Sequence, residues 1–219
     1  DAVSGGRQGR HFVLPRLDRW PSDAFQHQGY LGGRPGRCAG KAGDSVLLLG
    51  TGGVSVWALQ LAKAAGIRAI VTSSSDDKLR RARSLGAAET INYMSVPEWQ
   101  NEVLRMTAGR GVDLVLEVGG QGTIGRSIAS ARMGGTVAII GGVSGFGGDL
   151  EPFALIGGAK RLSGIFVGSR RMLEDLSRYV STSGIRPVVD RRYPFAKAAD
   201  AYAYLKRAGH FGKLVIDVV

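Results

Sequence analysis

From Gly43 onward the chain alternates short, uninterrupted apolar runs with stretches whose apolar residues recur at helical spacing. Such alternation is the signature of βαβ units and a parallel sheet buried on both faces. Residues 45–50 read as a first strand, followed by a helix to about Ala65 with Val54, Ala58, Leu61, Ala62 and Ala65 on one face and Gly66 as its stop. A second strand is expected at 69–72, a helix at Asp76–Leu85 ended by Gly86, and a short strand at 90–93. A helix opened by Pro97 runs to about Thr107, then a strand at 112–118 and a helix at 123–131. Strands at 136–140 and 162–167, helices at 172–180 and 198–208, and a closing strand at 213–219 complete the series. The fold class is α/β, a doubly wound parallel sheet.

Residues 1–40 stand outside this rhythm. They show neither period and are rich in Gly, Arg, Pro, Gln and His. They read as an irregular leader, or as the remnant of an upstream domain that has been lost or garbled. Residues 41–219 form the nucleotide-binding domain with a C-terminal return segment.

The glycine turn Gly50-Thr51-Gly52-Gly53-Val54-Ser55 sits between the first strand and the first helix. The first glycine permits the turn, the next lets a pyrophosphate reach the backbone, and the helix N-terminus offers free N–H groups and its positive dipole end. Ser55 replaces the Gly or Ala that favours close helix–strand packing. At the end of the second strand an NAD-specific site places Asp or Glu to bond the ribose hydroxyls. This chain has Ser73 and Ser74, with Lys78 and Arg81 one turn on, a set that accepts a 2′-phosphate where a carboxylate would repel it. NADP(H) is therefore expected over NAD(H), although Ser75-Asp76-Asp77 also reads as an ordinary helix cap. The later strand ends, Val118-Gly119, Ile140-Gly141 and Phe166-Val167-Gly168-Ser169-Arg170, fall at the same carboxyl edge, where a ring or ribose can lie against small residues.

Composition narrows the picture. The 219 residues carry a formal charge of +11, but the basic residues are scattered and no nucleic-acid-binding motif appears, so nucleic acid is not an expected partner. No apolar stretch is long enough to span a bilayer, and no membrane partner is expected. A single cysteine excludes an internal disulfide, and a cytoplasmic protein is expected. His11, His27, His210 and Cys38 do not stand at ligand spacing, and no metal site is expected.

Lys41-Ala-Gly-Asp-Ser-Val-Leu-Leu-Leu-Gly-Thr-Gly-Gly-Val-Ser55, Ala62-Lys-Ala-Ala-Gly66, Lys78-Leu-Arg-Arg-Ala-Arg-Ser-Leu-Gly-Ala87 and Gly109-Arg-Gly-Val-Asp113 together resemble the cofactor domain of the medium-chain dehydrogenases/reductases. Gly164–Arg170 and His210-Phe-Gly-Lys213 extend the match, which is nearest to zinc-type alcohol dehydrogenase-like proteins and quinone oxidoreductases. The resemblance implies a Rossmann sheet of order 3-2-1-4-5-6 and hydride transfer between NADP(H) and an alcohol, carbonyl or quinone. It implies cofactor contacts from Phe166–Arg170 and from Gly212 and Lys213, and a homodimer through the edge strand Leu162–Gly168. Family members also carry an N-terminal GroES-like domain that shapes the substrate cleft and supplies metal ligands. Its absence here leaves the catalytic residue unknown and predicts a chain inactive by itself. A non-catalytic NADPH-binding or sensing module is the alternative. A methyltransferase would need an acid closing the second strand, where Ser73 stands.

Overall fold

The computed structural model describes residues 10–13, 40–145, 147, 150–166 and 168–218. Its main element is a six-stranded parallel sheet made of β2 (Ser45–Leu48), β3 (Arg68–Ser73), β4 (Glu89–Asn92), β5 (Val112–Glu117), β6 (Ala131–Ile139) and β7 (Arg161–Gly164), in the order β4-β3-β2-β5-β6-β7. Counted from β2 this is 3-2-1-4-5-6, the Rossmann arrangement.

The sheet is two-sided. Val46 and Leu48 face one apolar cluster and Leu47 and Leu49 the other, the two-residue period of a strand covered on both faces. Helices α1 (Gly53–Ala64) and α2 (Asp76–Leu85) bring Val56, Leu59, Ala62 and Ala82 to the first cluster, joined by Leu176 and Tyr179 of α6 (Arg170–Thr182). Helices α3 (Trp99–Met106) and α4 (Ile124–Ser130) and the short α5 (Phe153–Ile156) cover the other face through Trp99, Val103, Ile128 and Leu155. Helix α2 has the bounds its sequence announces. Ser75 Oγ accepts from the Lys78 N–H at its start, and Gly86, at φ 113°, closes its end.

A second sheet lies beyond the six strands. β9 (Lys213–Val218) runs parallel to β8 (Val189–Pro194) and antiparallel to β1 (Arg10–Val13). Helix α7 (Ala198–Lys206) packs on it through Ala201, against Leu214 and Ile216. Neither β1 nor β8 has an apolar rhythm; each forms because β9 offers it a ladder of backbone partners. Arg10–Val13 thus enters regular structure although the residues around it read as irregular. Apart from Gly40, the remainder of the expected leader, with His27 and Cys38, lies outside the described residues. The expected helix end at Ala131 is likewise taken over by β6, where Val112 pairs with Ala131 before the register shifts. No helix among the described residues is long and apolar enough to cross a membrane.

Candidate functional site

The carboxyl ends of β2 and β3 meet at the glycine turn. The Gly50 N–H donates to Thr72 Oγ1 on the neighbouring strand (3.2 Å), and Gly50 adopts φ 72°, a conformation glycine takes without strain. Ser55 Oγ donates to the Leu49 carbonyl (2.6 Å), which pins the first turn of α1 onto β2. A hydroxyl at this position does the work of close packing that Gly or Ala does elsewhere.

The turn is closed from the far end of the chain. The Gly212 N–H donates to the Thr51 carbonyl (3.0 Å), and Gly52 and Gly212 form a parallel bridge. This places Lys213 over the start of α1. A Cβ on Gly53 would lie 2.6 Å from Lys213 Nζ and 2.8 Å from its Cδ, so glycine at this position makes room for the lysine. Lys213 is buried, and burial pushes its ammonium below the usual lysine range. Its ammonium makes no hydrogen bond or ion pair with the described residues. A buried cation beside a helix N-terminus is doubly unfavourable, since the dipole there is positive too. An anion would relieve both.

Ser73 is buried at the end of β3, and its Oγ accepts from the Ser75 N–H (3.4 Å), while Ser74 is exposed. Lys78 reaches back from α2, and its Nζ donates to the Ala208 carbonyl (2.6 Å) just ahead of β9. Burial lowers its pKa; Asp190 opposes and Arg81 reinforces that shift. Arg81 pairs with Asp190 (2.9 Å) and lies over the Phe211 ring at 4.2 Å. Tyr204 Oη donates to the other oxygen of Asp190 (3.0 Å). The two cations expected near a 2′-phosphate are thus held by the segment that carries Gly212 and Lys213. Asp76 and Asp77, the acids in the first turn of α2, bond Asn92 and Arg80.

On the other side of β2, the turn after β5 carries Val118 and Gly119, and the segment after β6 carries Gly141. The two are stitched together: the Val143 N–H donates to the Val118 carbonyl (3.1 Å) and the Ser144 N–H to the Gly119 carbonyl (2.7 Å). Phe166 and Gly168 follow β7 at the same edge; Phe166 is 76% exposed, and Val167 lies outside the described residues. Arg170 opens α6, pairs with Glu174 (2.8 Å) and keeps 92% of its side chain in solvent. The structure therefore gathers Gly50, Thr51, Gly52, Gly53, Val54, Ser73, Lys78, Gly212 and Lys213 around one turn. Val118, Gly119 and Gly141 form a second group beside it, and Arg170 stands apart.

Two residues at strand ends have roles the sequence did not assign: Thr72 belongs to the hydroxyl run Thr72–Ser75 that ends the second strand, and Glu117 ends β5. Thr72 orients the turn through its hydroxyl, and Glu117, fully buried, closes β5. A charged residue next to the end of the predicted strand Val112–Val118 was the available signal for the second.

The model of the family described as zinc-binding dehydrogenase matches residues 53–182, from the glycine turn to the end of α6. The chain belongs to this family. A zinc-type alcohol dehydrogenase-like protein of Schizosaccharomyces pombe is 43% identical over 182 residues, covering 81% of this chain and 53% of that protein. A solved NAD-dependent alcohol dehydrogenase is 37% identical with a TM-score of 0.74, over 82% of this chain and 52% of its own. The mycobacterial protein Rv1454c, solved in complex with NADPH, is 25% identical with a TM-score of 0.75, over 93% and 64%. The chain spans about half the length of the curated relatives it matches.

Zinc itself finds no fit among the described residues of this family member. No group of three or more His, Cys, Asp or Glu side chains there could hold a metal ion. A dinucleotide does find one, because the glycine turn and the buried Lys213 ammonium together lack only a negative charge.

Proposed function

We propose that this chain binds NADP(H) as the cofactor-holding part of an alcohol dehydrogenase-like oxidoreductase, which moves hydride to or from an alcohol, an aldehyde or ketone, or a quinone. The observation that carries the proposal is Lys213, a buried ammonium without a partner among the described residues, lying across Gly53 at the N-terminus of α1. The diphosphate would rest on the Gly50–Val54 backbone and neutralise Lys213. Ser73 and Ser74 would hold the adenosine ribose, and Lys78 would exchange the Ala208 carbonyl for the 2′-phosphate. Val118, Gly119 and Gly141, with Phe166 to Gly168, would line the other half of the cofactor. When bound, the nicotinamide supplies the hydride chemistry; these residues bind it, orient it and keep water away.

No described residue is assigned as a catalytic acid, and the chain by itself is proposed to bind without turnover. Positioning a substrate within reacting distance needs a second surface opposite the nicotinamide. The alternative, an NADPH-sensing module, uses the same contacts. Calorimetric titration with NADPH and NADH tests the binding: tighter NADPH binding is expected, and no binding of either sinks both readings. Alcohols, aldehydes and quinones assayed with NADP(H) then separate an enzyme from a binder.

The proposal extends to a cytoplasmic homodimer. Strand β7 ends the sheet with only β6 beside it among the described strands, and Phe166 just past it is exposed. Light scattering should give the mass of two chains, and Phe166→Asp should shift it toward one.

A further inference from the structure

We propose that Glu117 is a positioning residue for the nicotinamide half of the cofactor, an inference that rests on the reading that the chain binds NADP(H). A doubly wound sheet receives its ligand where the strand order reverses, here between β2 and β5. A dinucleotide whose diphosphate lies on the β2 turn must therefore lay its second half on the turn after β5. Leu48 pairs with Leu116, so Glu117 stands one step further along, level with Leu49, the residue just before the glycine turn.

Glu117 has no solvent exposure, and both its oxygens are used. Oε1 accepts from the Gly119 N–H (2.6 Å), the Gly120 N–H (2.9 Å) and Thr123 Oγ1 (2.6 Å); Oε2 accepts from Ser127 Oγ. One side chain thus folds the turn back on its own strand and ties it to the first turn of α4. Its main-chain carbonyl accepts from the Ile140 N–H (2.8 Å), which joins the end of β6 to the same point. The turn is then pressed against the β6 segment. A Cβ on Gly120 would lie 2.4 Å from the Gly145 carbonyl oxygen and 2.7 Å from Gly142 Cα.

The arrangement exceeds what strand termination requires. A glycine turn ends a strand without a buried acid, whereas four donors converging on one buried carboxyl group fix the height and tilt of Val118–Gly120. Glu117 would touch no part of a bound cofactor; it would act through the backbone of the turn that it holds.

The test compares two ligands on the full chain: NADPH, which spans both turns, and 2′,5′-ADP, which reaches only the adenosine side. Glu117→Ala should weaken NADPH about tenfold or more while leaving 2′,5′-ADP within about twofold, because it frees several donors around the second turn only. Glu117→Gln, which keeps an oxygen for the two N–H groups, should restore NADPH to within about threefold of wild type. Should Glu117→Ala fail to fold, Thr123→Val decides the question, with a selective loss for NADPH of about threefold expected. Equal loss for both ligands, or loss for neither, overturns the proposal. A wild-type chain that binds neither ligand overturns instead the cofactor reading on which it rests.

Discussion

Asp113 and Lys213 are both buried charges at the ends of central strands, and they are treated in opposite ways. Asp113 lies at the amino edge of the large sheet. Its carboxylate accepts from the Ser45 N–H and hydroxyl (2.9 Å each), from Arg110 Nη2 (2.7 Å) and from Arg132 Nε (2.5 Å). Burial alone would raise its pKa, but these bonds outweigh it and hold the carboxyl well below the usual range. Lys213, at the carboxyl edge, is buried with nothing comparable among the described residues to meet its charge. A folded chain tolerates a desolvated charge when partners compensate it. One edge of the sheet is complete in itself, while the other, on the proposed reading, is completed by an anion. The difference separates the edge read as scaffold from the edge proposed as the site.

Breaking the complete edge should have the largest effect. Asp113→Ala leaves Arg110 and Arg132 facing each other and should cost about 3 kcal/mol of unfolding free energy at neutral pH. That is the low end for a broken buried pair, because both arginines are part-exposed. The pH dependence has a definite sign. A carboxyl whose folded pKa is depressed contributes stability above its unfolded value of about 4, and the contribution disappears as pH falls through the folded value. Urea melts should therefore show the gap between wild type and Asp113→Ala closing steadily below about pH 5. A gap unchanged at pH 3 would mean that the carboxylate is not what holds this edge.

Lys213→Met should do the reverse at the other edge. NADPH affinity should fall about tenfold or more, the scale of one lost charge-assisted bond. The ligand-free melting temperature should stay level or rise, because an uncompensated cation has been removed. A variant that melts earlier and still binds NADPH would make Lys213 structural and undo the contrast.

Ser73→Asp tests the neighbouring strand end. A carboxylate there repels a 2′-phosphate and accepts ribose hydroxyls, so the NADPH/NADH affinity ratio should drop about tenfold. An unchanged ratio would remove Ser73 from cofactor choice. The smallest effect is expected at Arg170. It is almost fully exposed and bonded to Glu174 four residues on, so Arg170→Ala should move NADPH affinity less than about twofold and stability less than about 0.5 kcal/mol. A larger loss of affinity would bring the segment after β7 back to the phosphates.

What the sequence disclosed follows from how local each feature is. The strand–turn–helix unit at Gly50, the cap at Ser75 and the stop at Gly86 are each written in a few adjacent residues, and all stand where they were expected. The order of the six strands was legible through the family resemblance, since periodicity alone does not rank strands. β1 and β8 were not legible, because their regularity comes from pairing with β9 rather than from their own side chains. The positions of Lys78 and Lys213 were expected, but their states were not. Nothing local says that Lys78 spends its ammonium on the Ala208 carbonyl, or that Lys213 has no counter-charge among the described residues. Glu117 was passed over for a similar reason, as its four donors come from the turn and helix that follow it.

The bond between Gly212 and Thr51 has a consequence for the order in which the site comes into being. A ribosome delivers the glycine turn, and the sheet and helices that surround it, before β9 emerges. Until Gly212 and Lys213 arrive, the nascent chain has a turn without its closing rung and without its cation. On the proposed reading, cofactor capture has to wait for β9, and a stop ahead of it would leave a well-formed sheet with an unfinished site.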